Sequence, residues 1–172
     1  MESSCHGRQT ESAAQRNLRM NQQIAGVMKR IYFDNCSYNR PFDDQSQVIV
    51  RLEADAKLHI QELVKNRTLE LVWSFVLDYE NSFNPFADKR EQIRAWRSLA
   101  THYCGFSTQV VGKATSLMQL GLKQADASHI ACVALSHADY FITTDKRILN
   151  KNITEIRVVN PMTFIERGLH AD

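Results

Sequence analysis

The amino-acid sequence predicts an α/β fold in which helices cover both faces of a central parallel sheet. Short apolar runs alternate with longer segments that show helical spacing of apolar residues. Parallel strands buried between two layers of helices typically have such continuous apolar runs. A chain of 172 residues is long enough to bury the core of one such domain. These observations predict a three-layer α/β/α architecture.

Four short apolar segments are predicted to be the strands of this sheet. Polar or turn-forming residues bound each of them, and helical patterns separate one strand from the next. Because helical crossovers would join the strands, we expect the strands to run parallel. Their residue ranges are 31–33, 69–73, 140–143 and 156–159.

The intervening segments carry the signals of helices. Ser74 is a preferred N-cap residue directly after the second strand, and Gly121 suits a helix end. Helices are predicted at residues 44–65, 74–80, 88–103, 109–120 and 126–138, with a terminal helix that starts at Asn160 and Pro161. The predicted buried face of the first helix carries four residues near helical spacing: Val48, Leu52, Ala56 and Ile60.

Composition and charge narrow the class of protein. Hydrophobic residues make up 44% of the chain and charged residues 23%, as in soluble globular proteins. No apolar run reaches the roughly 18 residues that cross a bilayer, and the N-terminus lacks the apolar stretch of a secretory signal. We therefore expect a cytoplasmic protein with no membrane partner. The net charge of +2 is only weak evidence for a nucleic-acid partner.

The sequence divides into an N-terminal extension and one domain. Residues 1–28 are rich in Ser, Gln, Asn and Arg, so we expect them to be poorly ordered. Residues 29–172 are predicted to form a single domain. The four cysteines are scattered without a Cys-x-x-Cys pair, which indicates reduced thiols rather than a zinc site.

Four acidic residues lie where an apolar strand or helix run meets a turn. In a parallel α/β sheet, ligands bind beyond the carboxyl ends of the strands, so acids from distant segments can converge there. Crowded carboxylates repel one another, and they hold either protons or a cation. The pattern therefore predicts metal-dependent chemistry. The four residues are Asp34, Glu80, Asp126 and Asp145.

These acids also have structural interpretations. Asp34 suits a turn, and Asp126 suits a helix cap. Asp78 and Glu80 lie about 200° apart around a helix, so both cannot face one pocket. We expect Glu80 to face the pocket and Asp78 to be a solvated surface acid. His129 is a weaker candidate ligand, because hard Mg²⁺ prefers oxygen.

Taken in order, these residues resemble the signature of the PIN domain, the fold of VapC-type metal-dependent ribonucleases in toxin–antitoxin pairs. The similar region covers residues 29–166. The chain departs from the family at Asn35-Cys36, where members often carry Thr or Ser after the first Asp. The matching motifs are Tyr32-Phe33-Asp34-Asn35, Ser74 with Glu80, Asp126-Ala127-Ser128-His129-Ile130-Ala131, and Thr143-Thr144-Asp145.

The resemblance implies a Mg²⁺- or Mn²⁺-dependent endoribonuclease whose metal is held by Asp34, Glu80, Asp126 and Asp145. It also implies an antitoxin partner and a homodimer, with Trp96 or Phe106 as candidate dimer contacts, although both residue types are more often found in the core. Other candidate site residues follow from their charge or hydrogen-bonding groups. Thr143 and Asn35 are candidates for supporting the ligating carboxylates, and Arg40, Lys146 and Arg147 for holding RNA phosphates.

Three alternative functions follow from the same pattern. A catalytically silent RNA-binding or protein-interaction module on this fold would have incomplete acids, whereas all four positions are filled here. A phosphatase of the haloacid dehalogenase type requires Asp-x-Asp after the first strand, where this chain has Asp34-Asn35-Cys36. A Rossmann nucleotide-binding domain requires Gly-x-Gly-x-x-Gly at that point, and the six glycines are not so arranged.

Overall fold

The fold is built on one five-stranded sheet, and a computed structural model describes residues 28–169 of the chain. The strands are β1 Arg30–Phe33, β2 Glu70–Ser74, β3 His102–Cys104, β4 Tyr140–Ile142 and β5 Arg157–Val159. Their order is β3-β2-β1-β4-β5, and every neighbouring pair is parallel. The predicted parallel sheet is therefore confirmed.

Helices connect the strands. They are α1 Asn35–Asn39, α2 Val48–Lys65, α3 Phe75–Ser82, α4 Ala87–Ala95, α5 Thr108–Gln119, α6 Gln124–Leu135, α7 Lys146–Leu149 and α8 Pro161–Thr163. Two 3₁₀ turns, Arg40–Phe42 and Trp96–Leu99, and a π-helical turn, Phe164–Gly168, complete the described elements.

Side chains of β1 alternate between two helical layers. The Tyr32 ring lies 5.6 Å from the ring of His129 in α6. The neighbouring Phe33 ring lies 5.4 Å from that of Tyr38 in α1, on the opposite face. Because helices cover both faces of a fully buried strand, the predicted three-layer α/β/α architecture is confirmed.

Helix α6 is a buried helix of the layer that contains His129. Ala127 and Ala131 are fully buried in it. The helix starts at Gln124 rather than at residue 126. Asp126 therefore lies inside its first turn.

The predicted helix over 88–103 is wrong in its second half. Helix α4 ends at Ala95, a 3₁₀ turn follows, and residues 102–104 form the edge strand β3. Strand β3 was missed because His102–Cys104 is not a continuous apolar run, and only Cys104 of its three residues is buried. Just before this strand, the backbone N–H of Thr101 donates to the carbonyl of Leu71 at 3.0 Å and so attaches the chain to β2.

The predicted buried face of the first long helix is also wrong in part. Helix α2 starts at Val48, and Val48 and Leu52 are 60% and 47% exposed. The buried side chains on this helix include Lys57 and Gln61, at 3% and 2% exposure. Apolar spacing misidentified the face because three polar residues, Glu53, Lys57 and Gln61, are buried on this helix.

Other expectations concern the ends of the chain and its cysteines. Residues 1–27 of the predicted extension lie outside the described residues. Within residues 28–169, no helix is long and apolar enough to cross a membrane. Cys36, Cys104 and Cys132 are free thiols.

Candidate active site

The four predicted acids lie around the carboxyl-terminal edge of the sheet. Asp34 directly follows β1, and Asp145 comes three residues after the end of β4. Glu80 belongs to α3, the helix that begins directly after β2. Asp126 lies in the first turn of α6. Ligands bind at this edge in open parallel sheets.

Asp34 is a buried carboxylate held on both oxygens. Its Oδ1 accepts the backbone N–H of Ser37 at 2.7 Å, which caps α1, and its Oδ2 accepts the Thr143 hydroxyl at 2.5 Å. Burial raises the pKa of Asp34, although both hydrogen bonds oppose that shift. Thr143 Oγ1 also accepts the backbone N–H of Asp145 at 2.9 Å, so one hydroxyl contacts both the Asp34 carboxylate and the Asp145 backbone.

Glu80 is held by a chain of buried hydrogen bonds. Its Oε2 lies 3.0 Å from His129 Nε2, and His129 Nδ1 lies 2.6 Å from the Tyr32 hydroxyl. The Tyr32 hydroxyl is also 2.6 Å from Ser74 Oγ, which accepts the backbone N–H of Leu77 at the start of α3. Burial raises the pKa of Tyr32, so the phenol keeps its proton.

Each contact in this chain of hydrogen bonds has one donor and one acceptor if every donor points toward Glu80. The Ser74 hydroxyl then donates to Tyr32, Tyr32 donates to His129 Nδ1, and His129 Nε2–H donates to Glu80. In this proton arrangement, the His129 imidazole carries one proton and the Glu80 carboxylate carries none. His129, which the sequence offered only as a weak ligand candidate, is thus a hydrogen-bond partner of Glu80, and it is 3% exposed.

Asp126 is not a helix cap. Lys123 occupies the N-cap position of α6, and Asp126 accepts no capping hydrogen bond from this helix. The side chain of Asp126 is partly buried. This burial raises the pKa of Asp126, and the charge of Asp145 raises it further. The proposed capping role is therefore wrong, and Asp126 lies within the electrostatic field of a second acid.

Asp145 is an N-cap residue paired with a cation. It accepts the backbone N–H of Arg147 at 2.8 Å and caps α7. The Arg147 guanidinium lies 2.6 Å from its Oδ2, and this contact holds the pKa of Asp145 below its usual range. Arg147 thus contacts an acid of the site.

Cys36 lies two residues after Asp34, in the first turn of α1. Burial raises the pKa of its thiol to about 12, and the charges of Asp34, Asp145 and Glu80 add to the shift. However, no three acidic, His or Cys side chains within residues 28–169 are grouped closely enough to hold an ion together.

The remaining predicted site residues have other contacts in this structure. Arg40 pairs with Asp43 at 2.9 Å and with Glu53 at 3.1 Å. The Asn35 side chain accepts a hydrogen bond of 3.3 Å from Asn39. Lys146 is exposed at the start of α7.

Asp78 is an anchor between elements and not the predicted solvated acid. Its Oδ1 accepts the indole N–H of Trp73 at 2.9 Å, and its Oδ2 accepts the Tyr103 hydroxyl at 3.0 Å. Arg97 Nη1 lies 3.2 Å from the same Oδ2. Asp78 does lie on a different side of α3 from Glu80, as its helical spacing predicts. Its partners come from β2, β3 and the second 3₁₀ turn, and helical spacing within α3 gives no information about them.

An aromatic cleft that sequence analysis missed adjoins Glu80. It has a volume of about 510 Å³, and its lining includes Phe75, Tyr79 and Ser128. The exposed Phe106 ring packs edge-on against Phe75 at 5.5 Å. Such a surface suits flat ring systems.

Comparison with known proteins supports the fold. No protein-family model matches the chain, and no curated protein matches it. The chain is similar to a chain in the crystal structure of VapBC2 from Rickettsia felis bound to a DNA fragment from their promoter. The similarity covers 76% of this chain and 98% of that one, with a TM-score of 0.50 and 14% identity. The two chains share a fold, which is consistent with the PIN architecture.

Proposed function

We propose that the chain is a metal-dependent endoribonuclease that hydrolyses RNA phosphodiester bonds. The observation that best supports this function is the placement of Asp34, Glu80, Asp126 and Asp145 at one edge of the sheet. Burial raises the pKa of Asp34 and Asp126, and Asp145 raises that of Asp126 further. A cation would stabilise the charged form of each carboxylate.

The donor atoms at this edge fit Mg²⁺ or Mn²⁺. They are carboxylate oxygens, which both hard ions prefer. Mg²⁺ keeps several waters and often takes only one or two carboxylates, so it does not require three grouped side chains. Asp34 and Asp145 are joined through Thr143 and would hold the ion, with Asp126 and Glu80 acting through water. Such an ion activates water and stabilises the charge that develops on phosphate.

The chain's own residues would orient the acids and the substrate. His129 fixes the Glu80 carboxylate, and Thr143 fixes that of Asp34. Arg147 neutralises Asp145 in this structure, and it would turn to a substrate phosphate when a cation takes that role. Lys146, next to it and exposed, would add a second phosphate contact.

Single-stranded RNA suits the surroundings of the site. The cleft beside Glu80 offers Phe75 and Tyr79 as surfaces on which bases can stack. The choice of RNA over DNA follows from the resemblance to VapC-type ribonucleases. An antitoxin that covers this edge follows from the same resemblance and from the similarity to VapBC2, and a homodimer is a further proposed partner.

The test is cleavage of total RNA by the purified protein with Mg²⁺, with Mn²⁺ and with EDTA. We expect cleavage with either metal and none with EDTA. Asp34→Asn and Asp145→Asn should each reduce the rate on the order of 100-fold or more, because each removes a charge from the site. Asp55→Asn, which changes an exposed acid on α2, is the matched control.

Two results would contradict the nuclease proposal. One is equal cleavage by Asp34→Asn and the unaltered protein, and the other is cleavage that persists in EDTA. RNA binding without cleavage under all metal conditions would instead favour the silent RNA-binding module. The absence of three grouped ligands among residues 28–169 is the observation that keeps this second candidate.

A further inference from the structure

A second cleft lies on the opposite face of the sheet from His129. It has a volume of about 350 Å³ and lies between α2, α4 and the two 3₁₀ turns. Phe42, Trp96 and Tyr38 supply aromatic walls, and Lys57 and Gln61 of α2 line it as well. None of these residues takes part in the proposed nuclease site.

Three polar side chains in this cleft are buried without a polar partner. Tyr38 is 1% exposed, Gln61 2% and Lys57 3%. Neither the Tyr38 hydroxyl nor Gln61 Nε2 has a hydrogen-bond partner. Within the described part of the chain, the Lys57 ammonium contacts only aromatic ring faces, at 5.3 Å from the Tyr38 centroid and 5.8 Å from that of Trp96.

Leaving such groups unpaired is costly. A buried donor without an acceptor loses about 1–3 kcal/mol of hydrogen bonding with water, and a buried charge loses more. Burial and the nearby Lys65 lower the pKa of Lys57 to about 7. An acceptor bound between these groups would relieve all of these penalties together.

The chemistry of the cleft defines the ligand that fits. Lys57 Nζ, Gln61 Nε2 and the Tyr38 hydroxyl are all donors, so the ligand must present acceptor oxygens. One buried ammonium balances one negative charge, which suits a carboxylate better than a phosphate dianion. Lys65, the other cation at the cleft, is already paired with Glu62 at 2.6 Å.

We propose that this cleft binds a small aromatic carboxylate. Its carboxylate pairs with Lys57 and, after a local shift of the side chains that cover them, accepts hydrogen bonds from Gln61 and Tyr38, while its ring packs on the aromatic walls of Phe42 and Trp96. The site is independent of the acidic edge and of the nuclease activity proposed there. It would make the protein responsive to a small metabolite.

Isothermal titration calorimetry of the full chain with benzoate tests this site. Benzoate should bind, whereas benzamide, acetate and inorganic phosphate should each bind at least about tenfold more weakly, because each lacks the single charge or the ring. Lys57→Met and Gln61→Met should weaken benzoate binding by about tenfold or more. Arg51→Met, an exposed change on the same helix, should leave binding unchanged.

Three outcomes would overturn the proposal. They are no heat with benzoate, equal binding of benzoate and benzamide, and equal benzoate binding by the unaltered protein and Lys57→Met. The first would indicate that ordered water fills the cleft. If Lys57→Met does not fold, as judged by circular dichroism, the uncharged change Gln61→Met decides the question.

Discussion

At the scale of single residues, two acids of the candidate site depend on hydrogen-bonding neighbours for their orientation. Thr143 and His129 each hold one carboxylate, and both are at most 3% exposed. The sequence identified the acids because each lies where an apolar strand or helix run meets a turn. It gave little reason to select His129, because the hydrogen bond between His129 and Tyr32 joins residues that are 97 positions apart in the chain.

His129→Leu should weaken Mg²⁺-dependent cleavage, because Glu80 then loses its partner while the Tyr32 hydroxyl loses an acceptor. We expect the Mg²⁺ concentration for half-maximal rate to rise by about 10- to 100-fold. His129→Gln, whose amide can still donate to Glu80, should recover part of this loss. Equal metal dependence in both variants would contradict a positioning role. Metal titration of the cleavage rate is the measurement.

Lys57 should make stability depend on pH. Its folded-state pKa of about 7 lies below the ordinary value of 10.5, so the unfolded chain binds more protons between these limits. Stability should therefore rise by about 3 kcal/mol from pH 7 to 9.5 relative to Lys57→Met, and the penalty should be fully present below pH 7. Tyr38, Lys65 and Glu62 also face Lys57, and burial keeps Tyr38 protonated in this range.

Urea unfolding of both proteins at several pH values measures this difference. Because Lys57→Met removes an uncompensated buried amine, it should be the more stable protein at pH 7. A stability difference that stays constant from pH 7 to 9.5 would show that the amine is not perturbed. The helical pattern of α2 could not reveal this residue, since aromatic partners from other elements bury it.

At the scale of elements, Asp78 ties helix α3 to the edge of the sheet. It joins Trp73 of β2, Tyr103 of β3 and Arg97 of the intervening 3₁₀ turn. Local sequence signals predicted β1, β2, β4 and β5 well, because each contains a continuous apolar run of the kind found in buried parallel strands. Strand β3 has no such run, and long-range contacts such as these define it.

Asp78→Ala should destabilise the fold by about 1–3 kcal/mol, since it leaves the buried indole N–H of Trp73 without an acceptor. Urea unfolding gives the change in free energy. Asp55→Ala, at an exposed position of α2, should stay within about 0.5 kcal/mol of the unaltered protein. An equally small effect of Asp78→Ala would mean that this acid is solvated after all.

At the scale of the whole molecule, the architecture was predictable and the strand order was not. Alternating strands and helices require a parallel sheet, but many orders satisfy that pattern. The order places β1 between β2 and β4. This arrangement puts the segments that carry Asp34, Glu80 and Asp145 after neighbouring strands, which the sequence alone could not predict.

A cation bound at the acidic edge should stabilise the whole fold, because it binds only the assembled sheet. At a concentration about ten times its dissociation constant, Mg²⁺ should add about 1.4 kcal/mol. Thermal unfolding with MgCl₂, compared with NaCl at the same ionic strength, measures this effect. The double variant Asp34→Asn/Asp145→Asn should lose the Mg²⁺-specific part. If Mg²⁺ still raises the melting temperature of the double variant more than NaCl does, the ion binds elsewhere on the protein.

The position of β4 has a consequence for the timing of biosynthesis. This strand pairs directly with β1, although 106 residues separate the end of β1 at Phe33 from Tyr140 at the start of β4. Asp34 therefore lacks its Thr143 partner until the segment that carries β4 has left the ribosome. A nascent chain that ends before β4 has no assembled acidic edge, so the proposed activity begins only after this strand has been made and paired with β1.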